Sequence, residues 1–265
     1  PWLSLCSTGN LEVLVSTRRR GHLLRTACQS PIDGAGAGLV DKIDKTNRFR
    51  HLSSDAGASD RADKLLYLKD WHQAAEFPWY EAYQTPTYFQ DDWLNWHYDT
   101  QRADHRSDDS TVENAGAQCA DYRFVYLGPA HSFTALHSDV LRSFSWSVNV
   151  CGKKRWLLWP PEETLKLLDK YGQAMPADVT AIPEEVLEQQ FPLLAQSFRL
   201  EVIQGPGEAL FVPSGWHHQV HNLADTLSIN HNWFNACNLH WMYQLLRRDL
   251  ADATSAIEDC REIAE

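Results

Sequence analysis

The chain has 265 residues, of which 43% are hydrophobic and 22% are charged. These values are typical of one main globular domain, and they exclude a collagenous, coiled-coil or wholly disordered chain. Because 24 Lys and Arg residues face 35 Asp and Glu residues, giving a formal net charge of −11, we expect neither nucleic acid nor an anionic membrane as a partner.

The cysteines are scattered, with no C-x-x-C pair and no regular spacing: Cys6, Cys28, Cys119, Cys151, Cys237 and Cys260. This pattern indicates reduced thiols and an intracellular protein, which we expect in the cytoplasm, with the nucleus as the alternative. No stretch reaches the roughly 18 apolar residues that span a bilayer. Residue 1 is Pro rather than Met, so a targeting signal upstream of it would not be visible.

Residues 1–64 are poorly periodic and predict no defined fold, and only residues 11–15 look like a strand. The chain then becomes dense in aromatic side chains, as expected where large residues cover a core. We therefore expect the main domain at residues 65–234. Within it, residues 99–120 are polar and charged and predict a solvated loop.

Eight stretches have strand character and fall into two blocks on either side of residues 162–197, which look helical but contain three prolines. The stretches are residues 121–127, 133–139, 143–150 and 154–159 in the first block, and 199–202, 209–212, 217–220 and 226–232 in the second. Two β blocks around a helical insertion predict a mainly β fold, a sandwich or barrel with helices outside.

The final segment, residues 235–265, predicts one helix over residues 238–263 with an apolar stripe at three-to-four spacing. The stripe consists of Leu239, Met242, Leu246, Leu250, Ala253, Ile257 and Cys260. Its commoner role would be packing on the barrel, but the same stripe could form a homodimer.

Two neighbouring stretches predict a polar cavity with a metal-chelating group. In residues 144–150 bulky side chains alternate with Ser145, Ser147 and Asn149, so one sheet face is polar without being charged. Just upstream, His137 and Asp139 stand two residues apart on a strand and so share a face, which is a chelating geometry. A solvent-exposed face and a surface His beside an Asp are the alternatives.

A third ligand is sought among the histidines of the second β block. Alternation places His218 on one face of its strand and both His217 and His221 on the other. His218 alone completes two His and one carboxylate, the facial triad of non-haem Fe(II) oxygenases. Structural histidines and a catalytic zinc site remain alternatives.

A cationic cluster opens the next strand, because Lys153, Lys154 and Arg155 follow the Gly152 turn in an apolar region. A buried Lys needs an acidic partner, so a bound dicarboxylic acid would account for it. A solvated turn is the alternative.

These motifs together resemble the Jumonji-C (JmjC) oxygenases, over roughly residues 65–246. The resemblance is carried by residues 121–126 with Gly128 and Pro129, His137-x-Asp139, residues 144–152 with residues 154–156, residues 211–222 and residues 228–233. It implies a double-stranded β-helix, a cupin-like jelly roll, that uses Fe(II), 2-oxoglutarate and O2.

Matched position by position, the resemblance makes His137, Asp139 and His218 the iron ligands and the catalytic centre. Lys154 matches the lysine that binds the distal carboxylate of 2-oxoglutarate in the family. Thr134 matches a hydroxyl that binds the same carboxylate.

Further pocket residues follow from the same resemblance. Asn230 falls where relatives place another polar contact to the co-substrate, and Ser147 or Asn149 could line the same pocket. Residues 1–64 do not visibly match the relatives, and the loop 99–120 looks longer and more charged than theirs.

The function that the resemblance implies is hydroxylation of a protein side chain, a lysine of a translation termination factor. Residues 67–72 also match the sequence of the lysyl hydroxylases in this family. An acidic protein suits a Lys-bearing substrate. One alternative is a histone lysine demethylase, against which stands the H-x-D rather than H-x-E triplet. The other is an inactive cupin that binds a protein through the aromatic segment 67–96 or the C-terminal helix.

Overall fold

The structure, a computed structural model, describes residues 16–17, 49–51, 66–105 and 121–258. In the N-terminal segment it shows two short strands, β1 (Ser16–Thr17) and β2 (Phe49–His51). The strand expected at residues 11–15 and the remainder of residues 1–64 lie outside the described residues.

Nine further strands follow in the described part of the chain. They are β3 (Leu66–Trp71), β4 (Arg123–Gly128), β5 (Phe133–Ser138), β6 (Phe144–Cys151), β7 (Lys154–Trp159), β8 (Leu200–Gln204), β9 (Glu208–Val212), β10 (His217–Asn222) and β11 (Thr226–Trp233). Each of the eight predicted strands is confirmed as β4 to β11, with ends that differ by at most two residues.

The strands form two antiparallel sheets. One has the order β1-β9-β6-β11-β4-β3-β2, and the other has the order β5-β10-β7-β8. From β4 to β11 the chain changes sheet at every connection except the one between β7 and β8. This alternation closes two facing sheets into one barrel, so the predicted mainly β jelly roll with flanking helices is confirmed.

Four α-helices lie among the described residues: α1 (Gln73–Glu76), α2 (Trp93–His105), α3 (Glu184–Gln190) and α4 (Leu239–Ala256). No helix in the described ranges is long and apolar enough to cross a membrane. Residues 99–105 continue α2, so the first part of the predicted loop 99–120 is helical. Asp99 on α2 accepts two hydrogen bonds from Arg123 on β4, at 2.8 and 2.6 Å, which ties this charged turn to the barrel.

The predicted helical insertion at residues 162–197 is only partly helical. It contains α3, which begins directly after Pro183, and the 3-10 turns Pro161–Leu167 and Leu194–Gln196. Proline has no N–H to donate within a helix, so the prolines of this segment keep its helices short. Apolar side chains of the insertion instead pack on the outer face of the smaller sheet.

Each sheet is covered on its outer face, and this fixes which side chains point inward. The insertion covers the smaller sheet around Leu157 and Trp159, which are fully buried. The segment with Tyr83 and Phe89 covers the larger sheet around Trp146. Burying one such side chain contributes about 2–3 kcal/mol. The remaining face of each sheet lines the barrel interior, where polar residues of β6 and β11 meet β7 and β10.

Helix α4 differs from the expectation that its stripe packs on the barrel. It lies against the 3-10 turn Val140–Arg142, but none of its residues is buried. Leu246 is 46% exposed and Leu250 is 69% exposed, so the apolar stripe largely faces outward. The end of the predicted helix, residues 259–263, lies outside the described residues.

Candidate metal centre

The two candidate histidine ligands lie on adjacent strands. His137 on β5 and His218 on β10 are direct cross-strand partners, and their ring centroids are 4.2 Å apart. Asp139 follows β5 immediately. His137, Asp139 and His218 each offer one atom that could bind a metal, and these three atoms lie within 4.8 Å of one another. No second group of this kind occurs among the described residues.

Hydrogen bonds orient both rings. His137 Nδ1 lies 2.7 Å from the main-chain oxygen of Ala135, and His218 Nδ1 lies 3.2 Å from that of Trp216. A carbonyl oxygen only accepts, so each Nδ1 carries the proton and donates it. The Nε2 atom of each ring is then the nitrogen available to bind a metal.

The carboxylate of Asp139 is also held in place. Ser145 on β6 donates its hydroxyl proton to Asp139 Oδ2 at 2.6 Å. Burial lowers the pKa of His218 to about 4, and the neighbouring His137 adds to this while Asp139 opposes it. The ring is therefore neutral near pH 7, the form in which imidazole binds a metal.

The other two histidines of β10 are directed elsewhere, as strand alternation predicts. His217 lies 3.3 Å from the hydroxyl of Thr164 through Nδ1, and His221 stacks on Phe133. Two imidazole nitrogens and one carboxylate therefore converge, and this donor set suits Fe(II) with open coordination positions.

Lys154 lies at the start of β7 and is 2% exposed. Its ammonium donates to Ser228 Oγ at 2.6 Å and lies 5.9 and 5.8 Å from the ring centres of Tyr126 and Trp156. No carboxylate pairs with it among the described residues. Burial lowers the pKa of Lys154 to about 7, and the charge of Lys69 adds to this. A dicarboxylic acid entering here would supply the missing counter-charge.

Thr134 lies on the same strand as His137. Thr134 pairs with Val220, and His137 pairs with His218. Between these two pairs, β5 has two residues where β10 has one. This β-bulge turns both Thr134 and His137 toward the barrel interior. Burial raises the pKa of the Tyr67 hydroxyl, and the neighbouring Thr134 side chain opposes this rise.

The remaining candidates lie on the inner face of the larger sheet. Ser147 and Asn230 are cross-strand partners, and Ser147 donates to Asn230 Oδ1 at 3.1 Å. The Asn149 side-chain amide donates to the main-chain oxygens of Gly152 at 3.2 Å and Gln204 at 3.4 Å. These bonds fix the Asn149 amide nitrogen, while its buried Oδ1 has no hydrogen-bond partner in the described part of the chain.

The structure adds two residues whose roles the sequence did not give. Ser145 was expected only to line the cavity, but it orients Asp139. Ser228 was not a candidate, and it is the hydrogen-bond partner of Lys154. Both follow the alternation of their strands, since Ser145 shares a face with Ser147 and Ser228 shares one with Asn230.

Comparison with known proteins agrees with this geometry. Residues 37–238 match the family described as Cupin-like domain. The chain belongs to this family. It is 53% identical over 203 residues to the arginine-specific demethylase JMJ20 of Arabidopsis thaliana, an alignment that covers 77% of the chain and 43% of the relative.

Two other relatives are informative. The chain is 45% identical over 254 residues to the 2-oxoglutarate and iron-dependent oxygenase JMJD4 of Homo sapiens, covering 91% of the chain and 56% of the relative. It is 32% identical over 168 residues to the bifunctional arginine demethylase and lysyl-hydroxylase psr-1 of Caenorhabditis briggsae, covering 62% and 38%. The chain thus spans about half the length of these relatives or less. The predicted JmjC resemblance is confirmed. The name of the JMJD4 relative includes iron and 2-oxoglutarate, the cofactor and co-substrate that the resemblance implies.

Proposed function

We propose that this protein is an Fe(II)- and 2-oxoglutarate-dependent oxygenase that hydroxylates a protein side chain. The observation that carries the proposal is the convergence of His137, Asp139 and His218, whose ligand-capable atoms lie within 4.8 Å of one another. Two imidazole nitrogens and one carboxylate leave open positions on the metal for further ligands.

The residues around this centre would divide the work. His137, Asp139 and His218 would hold the iron, and Lys154 with Thr134 would receive the distal carboxylate of 2-oxoglutarate. Iron, 2-oxoglutarate and O2 together supply the oxidising power that adds one oxygen atom to the substrate while succinate and CO2 form. The barrel orients these groups and excludes water from them.

The proposed substrate is a lysine of a translation termination factor, met in the cytoplasm. An acidic chain with a net charge of −11 favours encounter with a basic protein segment. The name of the psr-1 relative includes lysyl hydroxylation, which supports this reaction type.

A second candidate is demethylation of a protein side chain. The names of JMJ20 and psr-1 both include arginine demethylation. Hydroxylation of an N-methyl group by the same centre would release formaldehyde, so the residues of the centre serve either reaction. The H-x-D triplet favours hydroxylation over the histone lysine demethylation that the sequence also suggested.

The first experiment is an anaerobic titration of the purified protein with Fe(II) and 2-oxoglutarate, followed by the visible charge-transfer band of the complex. Wild type should give the band, His218→Ala should lose it, and His97→Ala, a substitution on the exposed surface of α2, should keep it. No band in folded wild type would overturn the proposal.

Product mass then separates the two reactions. A peptide of the termination factor that gains one oxygen indicates hydroxylation. A methylated peptide that loses a methyl group with formaldehyde indicates demethylation. If neither peptide changes in the presence of an active cofactor complex, the proposed substrates are wrong.

A further inference from the structure

Strand β3 carries a β-bulge beside the Lys154 pocket, which is the space around the Lys154 ammonium that Tyr126 and Ser228 line. Leu68 pairs with Leu127 and Trp71 pairs with Val125, so two residues of β3 lie opposite Tyr126 alone. These two residues are Lys69 and Asp70. Bulges of this kind redirect side chains and recur beside active sites.

Asp70 holds an unusual backbone conformation within this bulge. Its φ is 54°, in the left-handed region that most residues other than Gly avoid. Asp tolerates this region better than most side chains. The conformation directs the Asp70 carboxylate to Tyr126, whose hydroxyl donates to Asp70 Oδ1 at 2.8 Å.

Tyr126 forms one wall of the Lys154 pocket. It is the cross-strand partner of Ser228, which accepts the hydrogen bond of Lys154. Its ring centre lies 5.9 Å from the Lys154 ammonium. Burial raises the pKa of Tyr126 well above its ordinary value, and Asp70 adds to this, so the phenol keeps its proton and remains a donor.

We propose that Asp70 is a positioning residue for co-substrate binding, which acts by holding Tyr126 through the hydrogen bond to its hydroxyl. The inference rests on the proposed function, because it assigns 2-oxoglutarate to the Lys154 pocket. Without the Asp70 acceptor, the Tyr126 hydroxyl loses its partner and the ring is free to leave the wall. His137 lies on β5, Asp139 follows that strand and His218 lies on β10, so we do not expect the bond between Asp70 and Tyr126 to affect metal affinity.

Three variants isolate the hydrogen bond. Asp70→Gly removes the acceptor and accepts the positive φ without strain. Tyr126→Phe removes only the donor. Asp70→Asn retains an acceptor oxygen and a side chain that tolerates the left-handed region, so it tests rescue.

The measurement is calorimetric binding of 2-oxoglutarate to the full chain loaded with Mn(II), which requires no turnover. We expect Asp70→Gly and Tyr126→Phe each to raise the dissociation constant about five-fold, and the double variant to raise it no further. Asp70→Asn should restore most of the affinity, and Mn(II) affinity should not change in any variant.

Each other outcome counts against the inference. Wild-type affinity in Asp70→Gly, or additive losses in the double variant, would show that the bond does not act on the pocket. Loss of Mn(II) affinity or of the folded circular dichroism spectrum would assign Asp70 a general structural role instead. A folded wild type that binds no 2-oxoglutarate would overturn the proposed function, and this inference with it.

Discussion

Thr134 and His137 both face the barrel interior although three positions separate them on β5. The bulge in β5 accounts for this, because Thr134 pairs with Val220 and His137 pairs with His218. One strand thereby supplies a candidate metal ligand and a candidate co-substrate contact. The bulge therefore sets the separation between the candidate metal ligand His137 and the candidate co-substrate contact Thr134.

The hydrogen bond from Ser145 to Asp139 predicts a loss of metal affinity when it is removed. Ser145→Ala should weaken Fe(II) binding about ten-fold, because residues that orient a ligand typically contribute this much. A metal titration with Co(II) as a spectroscopic probe measures the change. Thr254→Ala removes an exposed hydroxyl on α4 and is the matched control. Equal affinities in the two variants would contradict the role of Ser145.

Replacing the buried Lys154 should have opposite effects on the stability of the protein and on its binding of 2-oxoglutarate. Lys154→Met removes a buried ammonium that lacks an acidic partner, so the protein without ligand should melt at a higher temperature. The same variant should lose the stabilisation that 2-oxoglutarate gives to wild type. Thermal melts with and without 2-oxoglutarate measure both effects, and a lower melting temperature without ligand would show that Lys154 is structurally required.

The lowered pKa of Lys154 also predicts a dependence on pH. Its pKa is about 7 in the folded protein against 10.5 ordinarily, so the unfolded chain binds more protons between these values. The destabilisation by Lys154 is fully present below about pH 7 and is relieved as the pH rises toward 10.5. The gap in melting temperature between Lys154→Met and wild type should therefore narrow from pH 7 to pH 9. A constant gap would contradict the lowered pKa.

The strands could be predicted from the sequence because polar and bulky side chains alternate along a strand when the two faces of its sheet have different surroundings. Ser145, Ser147 and Asn149 alternate with bulky residues, and the structure buries all three at the polar inner face. His218 was separated from His217 and His221 by the same period of two. These predictions needed only local information.

The features that the sequence did not predict depend on register between strands. Alternation alone would place Thr134 and His137 on opposite faces, and only their partners on β10 reveal the bulge. The bond between Tyr126 and Asp70 joins residues 56 positions apart. Residues 162–197 were predicted to be helical and broken by prolines, and the structure shows one short α-helix and two 3-10 turns there.

The close packing around Gly128 at the end of β4 leaves no room for a side chain at this position. A Cβ atom there would lie 2.5 Å from Tyr67 Cδ2, 2.6 Å from Ser132 Oγ and 2.7 Å from Asn222 Nδ2. Gly128→Ala should therefore lower the free energy of unfolding by about 2 kcal/mol, because neighbouring buried groups must move. Gly205→Ala is the control, since its nearest neighbour would be 3.6 Å away. Chemical denaturation of both variants measures the difference, and equal stabilities would contradict the close packing.

The homodimer that the sequence suggested through the C-terminal helix stays a prediction, and α4 gives it a sharp test. Its apolar side chains Leu246 and Leu250 are 46% and 69% exposed, and a second copy of the helix would cover them. Light scattering of the purified chain should give a dimer mass, and Leu246→Glu with Leu250→Glu should give a monomer mass. Arg248→Glu, an exposed charge on the same helix, tests whether added negative charge alone separates the copies. A monomeric wild type at high concentration would contradict the prediction, and the stripe would then have no role in self-association.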